Sequence, residues 1–235
     1  MKIYNIIILD ASGSMRPLQK PSVDGVNETI QSIKASLEKA PTCEQSISLF
    51  TFSSIYEEDI HTILRDSPAQ HTAELPYSAY EPSGCTPLYD AIGEITTMFR
   101  HLLEPEDKAL VTIITDGYEN SSVRYTAKDI HKIISGLSEK GWVFTYIGAN
   151  QDAILESERI GIHNALNFSA DEEGTREMWR KDARCRSRYM DVMCCCDDKV
   201  APINMNSCYF DVEDEKDGKN KKVGKNAKKE KAGKK

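Results

Sequence analysis

The stretch that decides the fold is Ile3-Tyr4-Asn5-Ile6-Ile7-Ile8-Leu9, followed at once by Asp10-Ala11-Ser12-Gly13-Ser14. The first part is short, apolar, rich in isoleucine and broken only by Asn5. A strand buried on both faces of a parallel sheet reads this way. The same residues resemble a secretory leader at first sight. The run ends in Asp10, however, and no small-residue cleavage site follows, so a buried first strand is the better reading.

Working outward, apolar runs alternate with helical periodicity. Val26, Ile30, Ile33 and Leu37 fall at helical spacing after Asp24-Gly25. Ser46–Ser53 alternates with period two and predicts a second strand. Ile55–Leu64 predicts a third, an edge strand, because it carries Glu57, Glu58 and Asp59. Leu88, Ile92, Ile95, Phe99 and Leu102 form a helical stripe, and Ala109–Thr115 is another buried strand. Thr126 opens a helix bearing Ile130, Ile134 and Leu137, which Gly141 ends. Trp142–Ile147 is the next strand, a short helix spans Ala153–Arg159, and Ala165–Phe168 is the last strand. Strands alternating with helices indicate βαβ units with right-handed crossovers. The expected class is therefore α/β: a doubly wound, Rossmann-like, mostly parallel central sheet with helices on both faces.

After Ala170 the pattern changes. Asp171–Met193 reads as a helix with Met178, Trp179, Ala183 and Met190 on one side. From Asp211 aromatics vanish and Lys, Gly and Asn dominate, the composition of a disordered tail. The expected organisation is a main domain over 1–170, a helical extension over 171–210 and a Lys-rich tail over 211–235.

The 235 residues are 40% apolar and 29% charged, which excludes collagenous and wholly disordered classes. Net charge is −7, so nucleic acid is disfavoured as a partner. The tail holds ten Lys against six acidic residues, net +4, which leaves −11 for the remainder. We read the tail as solubilising. No apolar run reaches the roughly 18–20 residues of a membrane helix. The seven cysteines are an odd number, scattered except for Cys194-Cys195-Cys196. They read as reduced thiols of a cytoplasmic chain and lack the paired spacing of zinc sites.

Ligands of open parallel sheets bind beyond the C-terminal strand ends. Three segments meet that requirement: Asp10-Ala11-Ser12-Gly13-Ser14, Ser83-Gly84-Cys85-Thr86-Pro87 and Thr115-Asp116-Gly117. They carry carboxylates and hydroxyls, hard oxygen donors that suit Mg²⁺ first and Mn²⁺ or Ca²⁺ second. Each segment alone has a plainer explanation, as a turn or as a helix cap of the Thr86-Pro87 kind. All three at one sheet edge make coincidence a poor account.

Here the sequence resembles the von Willebrand factor A-type (vWA) domains. Their metal-ion-dependent adhesion site has the pattern Asp-x-Ser-x-Ser, then Thr, then Asp. The matching residues are Asp10, Ser12, Ser14, Thr86 and Asp116. Flanking residues agree over Leu9–Met15, Thr86–Ile92 and Ile114–Gly117, and the resemblance covers about Lys2 to Ala170. Tyr146–Asp152 through Asn167–Ala170 looks like stand-alone intracellular bacterial or phage members. Cys85 departs from the glycine many members carry. The resemblance implies a divalent cation on Ser12, Ser14 and Thr86. Asp10 and Asp116 would act partly through waters or by hydrogen-bonding those hydroxyls. It also implies a protein partner whose Glu or Asp completes the coordination, in an ATPase-associated complex by analogy with intracellular members.

Rival chemistry fits worse. A haloacid-dehalogenase-type phosphatase needs Asp at position 12, which is Ser, and a hydrolase elbow needs Gly where Asp10 stands. No phosphate loop is present, and the five histidines show no ligand spacing. A metal-dependent phosphohydrolase, the alternative reading, needs a base, for which only Glu81, Asp90 and Glu119 lie near in sequence. The expectation is a binding module that is not an enzyme.

Overall fold

The computed structural model describes residues 1–39, 43–149, 153–195 and 205–211. Residues 150–152, Cys196 and the Lys-rich stretch from 212 lie outside the described residues, as does the Cys195 side chain. In chain order the elements are β1 (Lys2–Asp10), α1 (Gln19–Lys39), β2 (Glu44–Phe52), β3 (Ile60–Pro68), α2 (Leu88–Phe99), β4 (Lys108–Thr115), α3 (Ala127–Ser138), β5 (Val143–Ala149), α4 (Ala153–Arg159), β6 (Asn164–Phe168), α5 (Glu172–Cys195) and α6 (Met205–Cys208).

The six strands lie in the order β3-β2-β1-β4-β5-β6, all neighbours parallel except β2 and β3. In β1, Ile7 stands opposite Leu49 on one side and Thr112 on the other. The period-two alternation sorts β1 between two faces. Tyr4, Ile6 and Ile8 pack against Leu88, Ile92, Ile95 and Phe99 of α2 and Ile130 and Ile134 of α3. Ile7 and Leu9 pack against Val23, Val26, Ile30 and Ile33 of α1 and Trp179 of α5. Helices therefore cover both faces, as the apolar strands require.

Helix α5 belongs to this body rather than standing beside it. It carries a fully buried ion pair: Arg186 Nη2 lies 3.1 Å from Asp182 Oδ2. Arg186 also donates to Asn5 Oδ1 at 3.1 Å and Thr112 Oγ1 at 2.7 Å, and Tyr209 donates to Asp182 Oδ1 at 3.0 Å. Asn5, the one polar break in the apolar run of the first strand, is one of two sheet residues, with Thr112, that hold this arginine. Of the four residues expected on the packed side of α5, Met178, Trp179 and Met190 are buried and Ala183 is half-buried.

Some expected boundaries shift. The first helix begins at Gln19, so Asp24 and Gly25 lie inside it. Gly25 is a packing notch: a Cβ there would fall 2.1 Å from Trp179 Cγ. The third strand begins at Ile60, because Glu57–Asp59 turn in a 3₁₀ bend with φ of 54° at Glu58 and 64° at Asp59. Three consecutive carboxylates favour such a solvated bend over a strand. Helix α2 ends at Phe99, leaving Leu102 43% exposed. No helix among the described residues is long and apolar enough to cross a membrane.

Candidate metal centre

Strands β1 and β4 are adjacent, yet their chain connections run to opposite sides of the sheet. That is the topological switch point, the place where open parallel sheets bind their ligands. The β1 loop, the β4 loop and the segment entering α2 meet there.

Asp10 ends β1 and is fully buried. Its Oδ1 accepts the Ser12 N–H at 2.6 Å, and its Oδ2 accepts the Thr115 hydroxyl at 2.6 Å. Tyr80, from the long connection before α2, donates its hydroxyl to the Asp10 carbonyl. The Ser12 and Ser14 hydroxyls are 3.1 Å apart, and Ser14 donates to Asp116 Oδ1 at 2.6 Å. Gly13 N–H donates to Gly84 O at 3.0 Å, stitching the β1 loop to the segment that carries Thr86. Gly84 has φ of 83°, a conformation glycine adopts without strain.

Gly117 shows how tightly the loops meet. A Cβ at this position would lie 3.4 Å from Thr86 Oγ1 and 3.7 Å from Ser14 Oγ. Hydrogen bonds thus link Asp10, Ser12, Ser14 and Asp116 in one line, and Gly117 brings the Thr86 hydroxyl close to its end. Exposure differs among them: Ser12 and Thr86 are buried, Asp116 is half-buried and Ser14 is exposed.

Burial pushes the Asp10 carboxyl up to about 6, against the lowering effect of its hydrogen bonds from Thr115 and Ser12. Burial also raises Asp116, opposed by the Ser14 hydrogen bond. Both carboxylates thus lack compensating positive charge. Among the described residues no three or more His, Cys, Asp and Glu side chains gather where they could hold a metal ion. Any cation here would rest on hydroxyls and two carboxylates.

The Thr86 hydroxyl fits such an ion. Thr86 is 2% exposed, and its Oγ1 forms no hydrogen bond among the described residues. Thr86 does not cap α2 either: Pro87 holds the N-cap position, and no side chain of that segment caps the helix. The plainer reading of Thr86-Pro87 as a helix cap therefore does not hold. Glu119 and Ser122 take the Tyr89 and Asp90 N–H groups instead, at 3.0 Å each. The Thr86 Oγ1 is nevertheless not one of the buried side-chain oxygens cut off from solvent. A hydroxyl open to a ligand, with two carboxylates raised by burial near it, is a donor set suited to Mg²⁺, Mn²⁺ or Ca²⁺.

The proposed bases have other bonds. Asp90 accepts main-chain N–H groups from Val123, Arg124 and Tyr125. Glu119 accepts from Ser121, Ser122 and Tyr89, while Glu81 is exposed. Cys85 is exposed, and its N–H donates to Ser54 Oγ at 2.8 Å. Sequence reasoning missed Thr115 and Tyr80 as supports of Asp10. A hydroxyl residue immediately before Asp116 was the available signal for Thr115.

With fold and site in hand, similarity to solved structures becomes informative. No protein-family model and no curated protein matches the sequence. The pilus adhesin SpaC of Lactobacillus rhamnosus GG superposes with a TM-score of 0.63 at 13% identity, over 81% of this chain and 30% of that one. A von Willebrand factor type A structure from Catenulispora acidiphila gives 0.54 at 17% identity, over 77% and 42%. The SpRpn10 VWA domain gives 0.52 at 9% identity, over 76% and 93%. This chain thus spans less than half of the first two. At these identities the likeness establishes the fold, and the fold is vWA-like: a mostly parallel six-stranded sheet between helices.

Proposed function

We propose that this chain is a protein-binding module whose contact runs through a divalent cation, Mg²⁺ by preference. Ser12, Ser14 and Thr86 would hold the ion, with Asp10 and Asp116 setting the hydroxyls and balancing the charge. When bound, the ion supplies a Lewis-acidic position that an Asp or Glu of a partner protein can occupy. The observation that carries this reading is the hydrogen-bonded line Ser12–Ser14–Asp116 with the Thr86 hydroxyl, which has no protein hydrogen bond among the described residues, facing it across Gly117.

The chain's own residues do the remaining work. Thr115 and the Ser12 N–H fix the Asp10 carboxylate. Asp116 orients the Ser14 hydroxyl. Recognition without turnover suits this site, since two of the three carboxylates near in sequence, Asp90 and Glu119, are occupied by main-chain N–H groups. The vWA-like fold, seen in an adhesin and in the Rpn10 domain, fits an interaction role by analogy. A cytoplasmic setting and an ATPase-associated partner remain part of the proposal on the same ground.

Affinity capture from an extract of the source cells, with and without chelator, tests it. A partner retained by wild type, and lost both with chelator and with Thr86→Ala, is expected. Retention that ignores both changes contradicts the metal-bridged contact.

A further inference from the structure

The N-terminus of α2 and the 117–125 loop are tied together from both sides. From the loop, Asn120 Oδ1 accepts the Thr86 N–H at 2.8 Å, and the Asn120 N–H donates to Thr86 O at 3.2 Å. Glu119 Oε2 accepts the Tyr89 N–H at 3.0 Å. From the helix, the fully buried Asp90 accepts the N–H groups of Val123, Arg124 and Tyr125 at 2.8, 2.9 and 2.8 Å. Gly93 lets the two segments touch: a Cβ there would lie 2.7 Å from Tyr125 ring atoms. A carboxylate accepting several main-chain N–H groups is a strong, charge-assisted anchor.

Thr86 Oγ1 has no hydrogen bond of its own, so its position follows from its main chain. Asn120 is the side chain that holds that main chain. Asp116 begins the same loop, three residues before Glu119. The separation of Thr86 from Asp116 is therefore set by this reciprocal clamp.

We infer that Asn120, backed by Glu119 and Asp90, is a positioning residue for the candidate metal centre. It holds Thr86 Oγ1 in register with Asp116 and Ser14 without itself touching the ion. Helix α2 and the 117–125 loop are then held as one unit that carries Thr86 and adjoins Asp116. The inference rests on the metal reading proposed above.

Magnesium titration calorimetry on the full chain tests it, together with melting curves in chelator. Asn120 is exposed but its Oδ1 takes the N–H of the buried Thr86, so Asn120→Ala should still fold cooperatively in chelator and melt a few degrees lower. Its Mg²⁺ affinity should fall about tenfold, the usual effect of removing a residue that orients a metal ligand. Asn120→Asp keeps an oxygen for the Thr86 N–H and should restore affinity. Asn120→Glu carries the same charge on a longer arm and should not. Glu119→Gln, which weakens the second tie, should also lower affinity. Wild-type affinity in both Asn120→Ala and Glu119→Gln overturns the inference, as does equal rescue by Asp and Glu. If the wild type itself binds no Mg²⁺, the metal reading falls, and the inference with it.

Discussion

The Thr115 hydroxyl donates to Asp10 Oδ2 at 2.6 Å and, in turn, accepts the Gly117 N–H at 3.1 Å. This one side chain joins the C-terminal ends of β1 and β4 across the switch point. It orients a buried carboxylate without supplying positive charge.

That arrangement predicts a pH dependence in metal-free protein. The Asp10 carboxyl sits at about 6 when folded, above the ordinary 3.8. Between these values the folded chain holds the proton more tightly than the unfolded chain. The stability Asp10 contributes is thus present below about pH 4 and is lost as pH rises through 6. Relative to Asp10→Asn, wild type should lose up to about 3 kcal/mol across that window, measured by denaturant unfolding in chelator. A flat difference would refute it.

Much of the fold was legible because its determinants are local. The alternation in β1 and the stripes of α2 and α3 report burial directly, and strand–helix alternation reports topology. The five candidate residues were legible because each follows a strand or precedes a helix. What stayed hidden depends on contacts distant in sequence. Nothing near Arg186 in the sequence marks it as buried; Asn5, Thr112 and Asp182 surround it only in the fold. Gly25 reads as a helix start until Trp179 lies on it. Asn120 reads as loop until the Thr86 N–H is found on it.

Gly25→Ala should destabilise the chain although alanine is the better helix former. The Trp179 ring cannot leave the notch cheaply, and overpacking typically costs about 1–3 kcal/mol. In a Trp179→Leu background the same change should become neutral or favourable. Thermal melting of the four proteins checks this; a favourable Gly25→Ala in the wild-type background would argue against the notch.

Arg186→Met should cost about 3–5 kcal/mol, because Asp182 is left buried and unpaired. Adding Asp182→Leu should recover part of that loss. Urea unfolding distinguishes the outcomes. A double variant less stable than Arg186→Met alone would show that the charges are not a compensating pair.

Purified protein with Mg²⁺ should turn over no nucleotide, phosphomonoester or peptide. The segments that form the candidate centre hold no His or Lys to move a proton. Activity that disappears in Asp116→Ala would favour the phosphohydrolase reading.

The central claim is that a divalent cation sits among the hydroxyls of Ser12, Ser14 and Thr86. A crystal soaked in Mn²⁺ and measured at the manganese absorption edge tests it most directly. The account predicts an anomalous peak within coordination distance of those three oxygens, absent in Asp10→Ala. No peak there at millimolar Mn²⁺, in crystals whose cluster is accessible, would contradict it.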